Sequence, residues 1–293
     1  MTRQILLAGL GYTTTRLAQR LDASGVAWRA HSASGRCGSM PLDLDGPCAG
    51  ALAVEDHAIV YAIPPPPAGE YDERVARWLG LLEGRPERIV YLSTTAVYGD
   101  RPGERLDENA EIRPAQARAR RRADAERRLG EWCAAREVPL LVLRLPAIYG
   151  PGRLPLERLR RGDPVLDPAL SPPSYRVHVD DLVTAIERAL DPESPGGTYL
   201  VRDDSRWSLG QWFLTVAELA GLPPPECVDL DSARRRLSPA MLGFMMETRE
   251  LDDTRTRQVL GLTPRYANPV AGIRASLTDR AADSTQPQAE RGG

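Results

Sequence analysis

The chain has 293 residues, of which 42% are hydrophobic and 27% charged, with a formal net charge of −2. This length suits one large α/β domain or a nucleotide-binding domain with a smaller lobe, and the near-neutral charge gives no electrostatic basis for a nucleic-acid or membrane surface. All 38 basic side chains are arginine, which excludes any mechanism that needs the titratable ammonium group of lysine.

The cysteines predict neither a metal site nor a disulfide framework. Cys37, Cys48, Cys133 and Cys227 show no CxxC spacing and have no histidine close by in the sequence. We therefore expect no bound metal and a reduced, cytoplasmic setting. The N-terminus has no signal-type apolar segment, and no apolar run approaches a membrane-spanning length, so we expect no membrane association.

Short apolar runs alternate with amphipathic stretches through the first half of the chain. This alternation is typical of a parallel sheet covered by helices on both faces. The predicted fold class is therefore α/β, a doubly wound parallel Rossmann sheet with a small C-terminal substrate lobe. The predicted strands span 4–8, 26–31, 57–63, 88–92 and 140–145, and the predicted helices span 14–21, 70–83 and 118–136.

After residue 145 the chain becomes rich in Pro and Gly, as expected where it leaves the sheet to build a second lobe. Order resumes with the strand "YRVHV", a helix capped by Asp180 or Asp181, the strand "GTYLV", and a helix that begins after Ser208 and ends at Gly221. The domains that we predict are a dinucleotide-binding domain over 1–150, to which 175–203 return, a substrate lobe from 151–174 and 204–278, and a disordered tail over 279–293.

The segment "ILLAGLGYTTTRLAQRL" joins a strand to a helix through a tight glycine turn. In such a turn Gly9 permits the sharp bend and Gly11 permits close approach of a phosphate to the backbone and the helix N-terminus. The third position of the fingerprint is Thr14 instead of glycine, and its hydroxyl is a candidate donor to a phosphate oxygen. The motif predicts dinucleotide binding.

The end of the second strand indicates which dinucleotide is bound. An NAD enzyme usually has an acidic residue there, whereas this chain reads "WRAHSASGR", with Ser32 at that position and Arg36 beyond it. No carboxylate would repel a 2′-phosphate, and His31 and Ser34 offer further contacts. NADP is the expected cofactor, with NAD as the alternative.

Two strand ends carry hydroxyl-rich motifs, "RIVYLSTTAVYGD" and "PLLVLRLPAIYGPG". With "YRVHVDDLVTAIERAL" and "GGTYLVRDD" following in that order, the chain resembles the extended short-chain dehydrogenase/reductase superfamily, the nucleoside-diphosphate-sugar epimerase/dehydratase group, over roughly residues 4 to 275. The resemblance implies that Thr94 is the hydroxyl residue of the fifth strand and that Asp43 lies near the adenine. Asp43 is equally consistent with a simple turn residue.

The same resemblance implies a Tyr-x-x-x-Lys pair on the following helix, where the tyrosine moves a proton and the lysine holds the nicotinamide ribose. In "RPAQARARRRADAERRL" these positions fall on Arg118 and Arg122. Arg122 can replace the lysine in hydrogen bonding and charge, but Arg118 cannot move a proton at neutral pH. Tyr98 and Tyr149 are the candidate replacements for the lost tyrosine, and the proline run "VYAIPPPPAGEYDERVARWL" resembles an atypical bacterial branch of the superfamily.

Two hypotheses follow from these residues. The first is an atypical NAD(P)-dependent oxidoreductase or epimerase-like enzyme that acts on a small carbonyl or hydroxyl compound or a nucleotide-sugar-type substrate, with Thr94, Tyr149 and Arg122 as its catalytic candidates. The second is a non-catalytic protein that binds NADP(H) or a metabolite as a sensor. A homodimer is consistent with either hypothesis. The arginine run of the helix is interrupted by Asp124 and Glu126, which favours a solvated face over a nucleic-acid patch.

Overall fold

The computed structural model describes residues 4–35, 37–46 and 50–285. The strands within these ranges are β1 (Gln4–Ala8), β2 (Trp28–Ser32), β3 (Met40–Pro41), β4 (Leu52–Ala53), β5 (His57–Tyr61), β6 (Leu82–Glu83), β7 (Arg88–Thr94), β8 (Arg105–Leu106), β9 (Leu140–Leu145), β10 (Ala147–Tyr149), β11 (Val165–Leu166), β12 (Arg176–His178), β13 (Gly197–Leu200), β14 (Cys227–Val228) and β15 (Glu250–Leu251).

The helices connect these strands and build the C-terminal part of the chain. They are α1 (Tyr12–Ala23), α2 (Glu73–Leu81), α3 (Ala117–Ala134), α4 (Leu156–Arg160), α5 (Val179–Leu190), α6 (Leu209–Leu219), α7 (Leu230–Arg236), α8 (Pro239–Met246), α9 (Thr254–Leu260) and α10 (Pro269–Thr285). No helix among the described residues has both the length and the apolar character that crossing a bilayer requires.

The central sheet confirms the predicted fold class. Within the described residues it has seven strands in the order β13-β9-β7-β5-β1-β2-β3, and every neighbouring pair is parallel. The chain builds outwards from β1 to one side and then returns to build the other side from β5. A crevice therefore forms beyond the carboxyl ends of β1 and β5, which is where ligands bind in open α/β sheets.

Alternate residues of the strands point into two separate cores. Leu7 and Val60 pack on one face of the sheet with residues of α1 and α5. Leu6 and Ile59 pack on the other face with residues of α2 and α3, among them the fully buried Trp78. Helices on both faces bury the sheet completely, which explains why the strands read as nearly continuous apolar runs in the sequence.

A third core belongs to the C-terminal lobe. Trp212 and Phe213 of α6 are buried there beside the strands β11 and β14. Helix α6 begins after Ser208 as predicted, with the Ser208 hydroxyl accepting the Gln211 N–H at 3.2 Å. Strand β13 pairs with β9 at the edge of the main sheet.

Several strand and helix ends differ from the sequence prediction by up to three residues, and two further differences concern the cap of α5 and the length of α10. Helix α5 is capped by His178, whose Nδ1 accepts the Asp180 N–H at 3.2 Å, and not by Asp180 or Asp181. Asp181 instead accepts the backbone N–H groups of Arg265 and Tyr266, which joins the start of α5 to the C-terminal lobe. Helix α10 continues to Thr285, into the segment predicted to be disordered, and residues 286–293 lie outside the described part of the chain.

We expect the protein to lose stability on mild acidification partly through His178. Burial of the ring outweighs the attraction of Asp180 and lowers the pKa of His178 from 6.5 to about 4. The unfolded chain therefore takes up a proton that the folded chain excludes, so the stabilisation present above pH 6.5 is lost as the pH falls towards 4.

His178→Asn, which keeps a side-chain acceptor at the helix cap, should remove this part of the pH dependence. Urea unfolding of both proteins between pH 4 and pH 7 measures the effect. We expect the free energy of unfolding to fall more steeply in the wild type, by up to about 3 kcal/mol. Parallel curves would contradict the assignment to His178.

Candidate functional site

The two glycines between β1 and α1 have different structural roles. Gly9 has a φ of +99°, and a Cβ at this position would lie 3.0 Å from the backbone nitrogen of Ile63. Gly11 has extended backbone, and a Cβ there would meet no atom within 4 Å. The first glycine is thus required by the turn itself, whereas the second borders open space that a ligand can enter.

Thr14 does not have the predicted role of phosphate donor. Its side chain is buried, with its hydroxyl donating to the Gly9 carbonyl at 2.7 Å and accepting the Gly11 N–H at 2.8 Å. Thr14 therefore fixes the shape of the turn from inside. The N–H groups of Tyr12 and Thr13 have no hydrogen-bond partner among the described residues and remain available at the helix N-terminus.

A cavity of about 240 Å³, here called the turn cavity, begins at this glycine turn. His31 and Ser32 line it from the end of β2, and Asp43 lines it from the loop after β3. The Ser32 hydroxyl lies 2.7 Å from the Ser39 hydroxyl. The structure thus brings these predicted residues together, while Arg36 lies outside the described residues.

Two of the lining residues show why this cavity suits a polar ligand. The Nε2 atom of His31 is buried without a hydrogen-bond partner among the described residues, and burial, with Arg29 adding repulsion, lowers the pKa of the ring. A neutral imidazole with a free nitrogen can bond a ribose or adenine group. The Asp43 carboxylate accepts the Asp45 N–H at 2.9 Å, so Asp43 is a turn residue and also lines the cavity.

The proline run continues the crevice from the turn cavity. Pro64 borders both that cavity and a second one of about 630 Å³, here called the proline cavity. The prolines have no N–H groups to donate, and carbonyl groups of the loop accept hydrogen bonds from arginines. Arg74 donates to Pro64 at 3.0 Å, and Arg121 donates to Gly69 at 2.6 Å and to Pro67 at 3.3 Å. These hydrogen bonds hold the loop along the side of the proline cavity.

Arg122 lies at the inner end of the proline cavity, at the position predicted for the missing lysine. Its guanidinium donates to the Leu92 carbonyl at 3.0 Å and to the Tyr91 hydroxyl at 3.2 Å. Burial opposes its charge, but Tyr91 and Asp72 hold the pKa of Arg122 above its ordinary value. A permanent positive charge thus lies beneath the crevice, at the end of β7.

Thr94 lies beside Arg122 at the carboxyl end of β7 and borders two cavities. One is the proline cavity, and the other is a smaller one of about 120 Å³, here called the threonine cavity. The Thr94 hydroxyl oxygen accepts the Ala96 N–H at 3.2 Å, which leaves its hydrogen available to a ligand. Arg118, at the position of the missing tyrosine, also lines both cavities.

The structure does not bring either predicted replacement tyrosine to the crevice. Tyr149 is buried in the core of the C-terminal lobe, with its ring 5.1 Å from that of His178 and 4.8 Å from that of Trp212. Burial raises the pKa of Tyr149 far above its ordinary value. The hydroxyl of Tyr98 is occupied by the Asp107 carbonyl and by Arg144, both at 2.9 Å.

The sequence interpretation missed Tyr175, which precedes β12. Its side chain lines the threonine cavity together with Thr94 and Arg118. No hydrogen bond is found between its hydroxyl and another described residue, and the Arg202 guanidinium lies 5.1 Å from the ring centre. The segment "YRVHV" predicts a strand, but nothing in its residue pattern places Tyr175 at the cavity that it lines in the structure.

Taken together, these features fit a nicotinamide dinucleotide. The open space at Gly11 and the free N–H groups at the start of α1 suit a pyrophosphate. The turn cavity on one side, with the unpaired His31 nitrogen, suits the adenosine half, and the proline cavity on the other suits the nicotinamide half. No group of three or more metal-ligating side chains occurs among the described residues.

Comparison with known proteins gives a family and a fold. The profile of the NAD dependent epimerase/dehydratase family matches residues 70–201. A functionally unknown conserved protein from Silicibacter pomeroyi is 30% identical, with 95% of this chain and 99% of that chain covered and a TM-score of 0.73. No curated protein sequence matches this chain.

Two further structures share the fold. The human epimerase family protein SDR39U1 with NADPH is 17% identical, with 94% of this chain and 99% of that chain covered and a TM-score of 0.72. The UDP-glucuronic acid 4-epimerase from Bacillus cereus with NAD is 14% identical, with 97% and 100% covered and a TM-score of 0.71. Since one holds NADPH and the other NAD, the fold does not decide between the two coenzymes.

Proposed function

Because residues 70–201 match the NAD dependent epimerase/dehydratase family, we propose that the protein is an atypical NAD(P)-dependent oxidoreductase or epimerase-like enzyme acting on a small carbonyl or hydroxyl compound. One observation carries the proposal. The available hydroxyl of Thr94 and the charged Arg122 both line the proline cavity, at the positions where the superfamily that the chain resembles has its catalytic hydroxyl residue and its lysine.

The residues of the crevice can bind and orient both reactants. When bound, a nicotinamide coenzyme supplies or accepts the hydride. Arg122 can hold the ribose hydroxyls through its guanidinium, and Thr94 can donate its hydrogen to the reacting oxygen of the substrate. Tyr175 is the one phenol among the described residues that line the threonine cavity, so we propose it as the proton donor in place of the lost tyrosine.

The coenzyme preference that we propose is NADP. It is supported by the residues at the end of β2, where His31, Ser32 and Ser34 offer no carboxylate against a 2′-phosphate. Asp43 and Asp45 line the turn cavity further along, and Arg74 pairs with Asp45. NAD remains the alternative coenzyme.

A second candidate is a sensor that binds the dinucleotide or a metabolite without turnover. The absence of tyrosine and lysine from residues 113–129 favours this candidate. Both candidate functions use the same cleft, so coenzyme binding alone does not distinguish a sensor from an enzyme.

Turnover separates them. We expect oxidation of NADPH or NADH, followed by absorbance, with at least one member of a panel of small aldehydes, ketones and oxo acids. Thr94→Ala and Tyr175→Phe should each lower this rate about 100-fold or more without weakening coenzyme binding. Tyr149→Phe, whose hydroxyl is buried away from the crevice, is the matched control and should leave the rate unchanged. Tight coenzyme binding with no turnover across the panel would favour the sensor.

A further inference from the structure

The reacting end of the crevice carries an excess of positive charge. Four guanidinium groups line the proline and threonine cavities, whereas Glu247 is the one carboxylate among the described lining residues. Glu247 is itself paired with Arg249. A cleft with unmatched cations attracts an anion, and the coenzyme's pyrophosphate has its own place at the glycine turn.

Three of the four arginines form hydrogen bonds or ion pairs within the protein. Arg121 donates to the carbonyls of the proline loop, and Arg122 donates to Leu92 and Tyr91. Arg249 donates to the Gly99 carbonyl at 2.9 Å in addition to its pairing with Glu247. These contacts fix the guanidinium groups as parts of the walls.

Arg118 differs from these three arginines. No hydrogen bond or ion pair joins its side chain to another described residue, and the side chain is exposed at the junction of the two cavities. By contrast, Arg120 on the same helix pairs with Glu70 at 2.7 Å. A guanidinium presents a planar set of donors that matches a carboxylate or phosphate, so an unpaired one at a crevice is suited to bind such a group.

The volume of the threonine cavity limits the size of the compound that carries the anionic group. About 120 Å³ is well below the 300 to 1,000 Å³ of typical ligand sites, so the threonine cavity alone accommodates a compound of a few non-hydrogen atoms and not a nucleotide. Thr94, Arg118 and Tyr175 all border this space. A substrate held there by its anionic group at Arg118 therefore places its neighbouring carbons beside the two hydroxyls.

Building on the proposed function, we infer that the substrate is a small oxyanion-bearing carbonyl or hydroxyl compound, a carboxylate or phosphate, whose anionic group binds Arg118. The position that lost the proton-transferring tyrosine thus serves substrate recognition. Proton transfer is then assigned to Tyr175, which lines the same cavity.

Calorimetric titration of the full chain, with and without NADPH, tests this inference. The probes are oxamate, malonate and inorganic phosphate, with neutral malonamide for comparison. We expect at least one anion to bind the wild type ten or more times more tightly than it binds Arg118→Gln, and malonamide not to bind. Comparing the affinities of oxamate and malonate with that of inorganic phosphate shows whether the site prefers a carboxylate or a phosphate. Arg120→Gln, on the same helix, is the matched control and should bind the probes as the wild type does.

NADPH affinity is measured in the same experiment and keeps the two proposals apart. Arg118→Gln should bind NADPH as tightly as the wild type, because Arg118 is assigned to the substrate. The inference is overturned if no anion binds, if Arg118→Gln binds the anions as well as the wild type, or if it loses NADPH. Failure of the wild type to bind NADPH would instead count against the proposed function. The titrations without NADPH would still show whether the anions bind at Arg118.

Discussion

Gly11→Ala is expected to weaken coenzyme binding at least tenfold, about 1.4 kcal/mol, while leaving the fold intact. A Cβ at Gly11 meets no protein atom within 4 Å, so the added methyl group occupies the space that the phosphate needs. Gly11 has extended backbone at the cap of α1, so alanine costs less than about 1 kcal/mol of stability. Calorimetry with NADPH and urea unfolding measure the two effects.

Two other glycines supply the comparison. Gly9→Ala is strained by its φ of +99° and by contact with Ile63, so it should lose about 1 to 3 kcal/mol of stability. Gly80→Ala, exposed on α2 with no atom near its Cβ, should raise stability by about 1 kcal/mol and leave binding unchanged. Normal NADPH binding by Gly11→Ala would show that no phosphate lies at this turn.

Glu126→Ala should be the most destabilising single change near the site, by about 3 to 5 kcal/mol in urea unfolding. Glu126 is nearly buried, accepts Arg144 at 2.7 Å and accepts the Ser93 hydroxyl. Removing its carboxylate leaves the Arg144 guanidinium buried without a counter-charge. Because Ser93 precedes Thr94, the loss also loosens the strand end that positions the Thr94 hydroxyl.

The matched control is an exposed pair on the same helix. Arg127 and Glu131 have side-chain exposures of 53% and 63%, so Glu131→Ala should cost less than about 0.5 kcal/mol. The double variant Glu126→Leu/Arg144→Met replaces the buried pair by apolar groups and should recover most of the lost stability. If Glu126→Ala were no more harmful than Glu131→Ala, the pair would not hold α3 on the sheet.

The fold was predictable because its signals are local. Alternating apolar runs gave the strands 4–8 and 140–145 at their observed limits, and the glycine turn located the start of α1 to within two residues. The cap of α5 was wrong because the cap acceptor is an imidazole, whereas Asp180 and Asp181 are the commoner cap residues.

Site residues could be predicted from the sequence only where a recognisable strand or helix motif contains them. Thr94 and Arg122 follow from the resemblance of their segments to the superfamily's motifs, and both line the crevice. Tyr149 also follows a strand end, but β10 pairs with β12 and directs its ring into the C-terminal core. Tyr175 lines the threonine cavity together with residues far from it in the sequence, such as Thr94 and Arg249, so no local signal predicts its position.

The most direct test of the account is calorimetric titration of the purified protein with NADPH and with NADH. We predict saturable binding of one coenzyme per chain, tighter for NADPH, and at least tenfold weaker binding by Gly11→Ala. The absence of binding heat with both coenzymes would contradict the assignment of the crevice to a nicotinamide dinucleotide, and with it the proposed function.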